Sequence, residues 1–135
     1  MTEWDNWGLL NFFYLFIGLA FVLIWIQVVL FHWRGAFRHR VMWAPVVEAP
    51  LLAAMGIVYS FVHGGILDWL FVLIFAIGTF GGLGGTYYHF RGVKNYIGGF
   101  SLRNFMVGPP VIIPMIFMAM SLSMLIVYFA WGLGK

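Results

Sequence analysis

His32 and His89 hold the same place in a string that the chain writes twice: His32-Trp33-Arg34-Gly35 and, 57 residues on, His89-Phe90-Arg91-Gly92. Two imidazoles from different segments, each followed at two residues by an arginine, are a donor set for bis-histidine ligation of a b-type haem, with Arg34 and Arg91 meeting its propionates. The plainer alternative is a pair of interfacial histidines bonded to headgroups or to the loop that follows, beside arginines that anchor topology. The chain has no cysteine, which excludes disulfides, thiolate metal sites and iron–sulfur clusters.

Gly78, Gly82, Gly85 and His89 are spaced four, three and four, which puts them along one helical face. Small residues at that spacing let a second helix approach closely. A smooth groove that passes Gly82 and Gly85 and ends in an imidazole would also receive a planar macrocycle or a quinone ring. The corresponding face of the first copy carries Phe21, Trp25, Val28 and His32, bulky where the other is smooth.

A second string follows each copy of the first. Met42, Pro45, Val46 and Pro50 fall at the spacing of Met106, Pro109, Pro110 and Pro114, now offset by 64, so the second copy carries seven extra residues between its halves. Pro45 and Pro109 suit helix entries, where a missing N–H costs least. Pro50 and Pro114 free the carbonyls four residues back, those of Val46 and Pro110. The two prolines either shape the helix entry or leave two related carbonyls lining a polar cavity. Glu48 is the only acid inside an apolar stretch, and its counterpart in the second copy is Ile112. An intramembrane carboxylate is costly unless paired, so Arg34, Arg91 or one of the repeated histidines is its expected partner, in an ion-pair clamp or, less simply, in a proton or quinone role.

The other candidate ligands read more plainly. His39, between Arg38 and Arg40, suits a solvated loop or lipid phosphate. His63 suits a polar helix end, with Tyr59 and Gly56 beneath it on the same face. Met115, Met118, Met120 and Met124 fill both sides of one segment and suit adaptable packing better than copper ligation. No Ser/His/Asp arrangement, paired carboxylate or glycine-rich phosphate loop is present.

The elements that must position these residues follow from composition. Apolar residues make up 64% of the chain and charged ones 8%, far outside the range of soluble domains. Four stretches, at about 8–33, 45–63, 67–90 and 109–131, are each long enough to cross a hydrocarbon layer of roughly 30 Å. The expected fold is an all-α integral membrane protein, a four-helix bundle of two tandem hairpins in the same orientation that arose by internal duplication. Residues 1–135 form one membrane domain, with the first repeat over about 8–63 and the second over about 67–131. The first span lacks the basic lead of a secretory signal and reads as permanent.

Arg34, Arg38 and Arg40 follow the first span and Arg91, Lys94 and Arg103 the third, whereas Glu3, Asp5 and Asp68 sit at the opposite ends. The positive-inside rule then puts both basic loops in the cytoplasm and both termini outside. Trp4, Trp7, Trp69, Tyr128 and Trp131 belong to the outer aromatic belt, and Trp33, Trp43, Tyr87 and Tyr88 to the inner one. The basic balance is a topology signal, so a nucleic-acid partner is not expected. Membrane lipids and other membrane subunits are, with the longer loop from Arg91 to Asn104 as a docking surface for an anionic lipid or a partner.

The functional expectation is a small subunit of a larger respiratory or photosynthetic type of complex, in a bacterial cytoplasmic membrane and without independent enzymatic activity. It would hold one haem b or a quinone near the cytoplasmic face between His32 and His89. The alternatives are a structural or assembly subunit with no cofactor, and a small dimeric transporter or channel with Glu48 on its pathway.

Overall fold

A computed structural model describes residues 7–132, so Glu3, Trp4 and Asp5 lie outside the described residues. Every regular element among the described residues is helical. Helix α1 covers Leu9–Arg34, α2 Trp43–Phe61, α3 Ile66–Gly92, the short α4 Leu102–Val107 and α5 Ile112–Val127. With the turns that extend them, Leu9–Arg34, Arg40–Phe61, Ile66–Ile97 and Ile112–Gly132 are long and apolar enough to cross a membrane. These helices are apolar all round, and large side chains such as Phe16, Leu23 and Phe80 are about 70% exposed (70%, 69% and 72%). An apolar surface this extensive needs a non-aqueous surrounding.

The expected 109–131 begins instead at Ile112, because Pro110 pushes the residue before it, Pro109, out of the α region toward extended backbone. The third span runs past its expected end at 90. Arg91 and Lys94 are good helix formers, and a π-helical turn over Val93–Ile97 carries the helix on to Gly98, whose φ of 99° ends it. The longer loop also contains α4, which the sequence pattern did not mark; it is capped by Ser101 Oγ, which accepts from Asn104 N–H at 3.2 Å.

Neighbouring helices pack in the ring order α1, α2, α3, α5 and back to α1. Each neighbouring pair is antiparallel: Asn11 Nδ2 donates to the Ser60 carbonyl at 2.8 Å and Trp25 Nε1 to that of Val46 at 3.0 Å, which fixes the register of α1 on α2. So α1 and α3 run the same way on one diagonal. Both basic loops lie at one end of the bundle, and the Gly64-Gly65 turn at the other. Within α1 and α2 the closest approach is Gly18 on Gly56, where a methyl on Gly18 would stand 2.8 Å from Ile57 N.

The core between the helices is a column of rings. Tyr14, Tyr59 and Tyr128 surround Phe71, which packs on Phe75 with centroids 4.7 Å apart. Phe75 meets Phe21, and Phe21 meets Phe117 edge-on at 5.3 Å. Beyond Phe117, toward the basic loops, the column gives way to a cavity.

Candidate functional site

That cavity has a volume of about 180 Å³ and is walled by both repeated histidines, His32 from α1 and His89 from α3. Phe117 closes its inner end, and Val28, Ile113 and Pro114 make most of the remaining wall apolar. The two imidazole centroids are 6.4 Å apart across the diagonal of the bundle, with their planes inclined at 62°. The residues that the repeat pairs in sequence are therefore brought together in space.

Their hydrogen bonding differs, and the prolines explain why. Pro114 has no N–H to offer the carbonyl of Pro110, so that oxygen accepts from His89 Nδ1 instead, at 2.8 Å. Pro50 frees Val46 in the same way, but there the oxygen is taken by Trp25 Nε1 rather than by the equivalent histidine. His32 consequently has a buried Nδ1 with no hydrogen-bond partner. Both carbonyls singled out by the prolines are thus satisfied by ring N–H groups of the preceding long helix, and only that of Pro110 lies on the cavity wall.

The glycine face of α3 is mostly filled by α5. A methyl on Gly82 would stand 2.5 Å from Met118 N, and one on Gly78 2.6 Å from Ser121 Oγ. Gly82 and Gly85 both contribute to the cavity wall, but the groove is not free along its length. Close helix packing is its main use, as small residues at this spacing permit.

Glu48 does not line the cavity. Its carboxylate packs directly against Gly81, so closely that a Cβ there would require the Glu48 side chain to move aside. The expected ion-pair clamp is absent: among the described residues Glu48 forms no salt bridge or hydrogen bond. Arg34 and Arg91 are exposed and stand outside the cavity wall, because they lie two residues beyond their histidines and project from other sides of the helix ends. They are not placed to hold groups of a ligand bound within it.

The imidazole separation is close to the roughly 6 Å that two axial rings on one metal would show, given metal–nitrogen bonds of about 2.0 Å. Volume decides against the macrocycle. The cavity is near the roughly 150 Å³ of an apolar void that takes one benzene and well under the roughly 300 Å³ at which cofactor pockets begin. The enclosed space therefore matches a single six-membered ring more closely than a whole macrocycle. Among the described residues no three metal-ligating side chains of His, Cys, Asp or Glu come together.

A second polar cluster, at the opposite end, was not anticipated. Tyr59 Oη donates to Asp68 Oδ1 at 2.5 Å, and Gly64 N–H donates to the same oxygen at 2.9 Å. Tyr14 Oη is buried without a partner beside them. Tyr59 and Asp68 flank the glycine turn, nine residues apart, and that spacing was visible. Tyr14 and Tyr128 join only through tertiary packing. Comparison of the chain with protein-family models, curated proteins and solved structures finds no match.

Proposed function

We propose that this chain is a small integral membrane protein that binds the ring of a lipid-soluble quinone between His32 and His89, as a subunit of an electron-transferring membrane complex. One observation carries this: a ring-sized, apolar cavity with two imidazoles on its wall, one of them holding an unpartnered buried nitrogen. A quinone-type ring matches the volume and offers oxygen to the imidazoles on the wall, while its isoprenoid or alkyl tail belongs in lipid. With no cysteine and no group of three metal ligands among the described residues, the redox partner is assigned to another subunit.

In this account the helices cross a bacterial cytoplasmic membrane as two duplicated hairpins of the same orientation, with the basic loops inside and the termini outside. Support comes from the doubled strings, the parallel course of α1 and α3, and the gathering of Arg34, Arg38, Arg40, Arg91, Lys94 and Arg103 at one end. A path for ions through Glu48 lacks support, since that carboxylate is packed on a glycine and lines no cavity.

Protein purified in mild detergent should carry extractable quinone, or bind an added short-chain quinone saturably. Gly84→Phe should abolish this: Gly84 lines the cavity, and a Cβ there meets nothing within 4 Å, so a side chain added at this position starts in open space. A Soret band lost in the His32→Ala, His89→Ala double variant would replace the quinone with haem. Absence of both ligands would leave a scaffold subunit.

A further inference from the structure

Resting on the ring-binding account above, we infer that the site selects the reduced, hydroxyl-bearing form of the ring, a hydroquinone, over the oxidised dicarbonyl form. The selection follows from which hydrogen bond His89 has left to make.

A carbonyl oxygen only accepts, so the 2.8 Å contact with Pro110 requires the proton of His89 to sit on Nδ1. In the neutral ring, Nε2 is then a lone pair and can only accept. The lock is secure because Pro114 removes the amide that would otherwise compete for the Pro110 carbonyl. His32 is held by a backbone hydrogen bond to Met42, and its Nδ1 is buried without a partner, so the selection rests on His89.

A hydroxyl fits His89. It donates to Nε2 in a hydrogen bond of about 2.8 Å, while the His32 ring stands on the facing wall with its centroid 6.4 Å from that of His89. A quinone oxygen has no proton to give. It would meet His89 Nε2 lone pair against lone pair, in a cavity too apolar for water to repair the mismatch. Sites built to pair a substrate hydroxyl discriminate strongly against an analogue that lacks it.

The test is anaerobic equilibrium dialysis of the full chain in lipid nanodiscs, with 2,6-dimethylhydroquinone and 2,6-dimethylbenzoquinone as paired probes. The hydroquinone is expected to bind more tightly by about tenfold, the scale of one unmade buried hydrogen bond. His89→Phe keeps the ring volume and removes Nε2, so both probes should still bind but with equal affinity. Pro114→Ala returns an amide that competes for the Pro110 carbonyl, and should shrink the preference without removing binding. Saturable, equal binding of both probes to the unaltered protein would overturn the selection and leave the ring site standing. Binding of neither would overturn both, and a preference that survives in both variants would overturn the role of His89.

Discussion

The carbonyls of Val46 and Pro110 lose their helical donors to Pro50 and Pro114, and a ring N–H from the preceding long helix meets each. That Trp25 takes the first and His89 the second is what leaves His32 with an open nitrogen. Trp25→Phe keeps most of the packing and orphans the Val46 oxygen, so it should destabilise the protein by about 1 kcal/mol in denaturant unfolding from mixed micelles. An unchanged midpoint would mean that lipid or water satisfies that carbonyl. Glu48→Gln should not destabilise in the same assay, because the carboxylate has no ionic partner among the described residues and its charge is a cost rather than a contact. A loss of several kcal/mol on that change would reveal a partner. At this scale the sequence showed which carbonyls were freed and which histidines were paired. It did not show the donors, because the register that brings Trp25 to Val46 and lays Gly18 on Gly56 comes from the packing of α1 on α2, which no local pattern in either helix states.

Helix packing explains which glycines matter. Gly82 is pressed on the α5 backbone, while a Cβ on Gly84, two residues on, would meet nothing. Gly82→Ala should therefore cost about 1–3 kcal/mol through forced separation of α3 and α5. Gly84→Ala should stabilise by about 0.5–1 kcal/mol, since alanine loses less backbone freedom on entering a helix. Thermal unfolding of the two variants side by side checks the contrast, and equal effects would contradict the placement of α5. The four long apolar segments were legible from composition and charge alone, with ends that moved by a few residues where proline runs or helix-compatible basic residues intervened. The glycine spacing was legible too, but one stripe serves a neighbouring helix as well as it serves a ligand. Its use is settled by Met118 and Ser121, which no local pattern connects to Gly82 and Gly78.

The whole molecule is a square bundle whose ring column runs from the Tyr59–Asp68 cluster at one end to the histidine cavity at the other. The Tyr59–Asp68 cluster escaped a reading of the chain because Tyr14, Tyr59 and Tyr128 come from three helices and meet only at Phe71. A chain without cysteine makes its topology simple to test. Arg38→Cys and Arg103→Cys, in the two basic loops, should both resist a membrane-impermeant maleimide applied to intact cells, and His63→Cys should react. Labelling of only one of the two loop positions would break the same-orientation arrangement. The central claim is that one ring sits between His32 and His89, and the most direct measurement is the imidazole ¹⁵N spectrum of histidine-labelled protein in nanodiscs, titrated with 2,6-dimethylhydroquinone. The account predicts saturable shifts at the ring nitrogens of His32 and His89 together, with His39 and His63 unmoved and His89 Nδ1 protonated throughout. Shifts that never saturate, or that spare this pair, would contradict it.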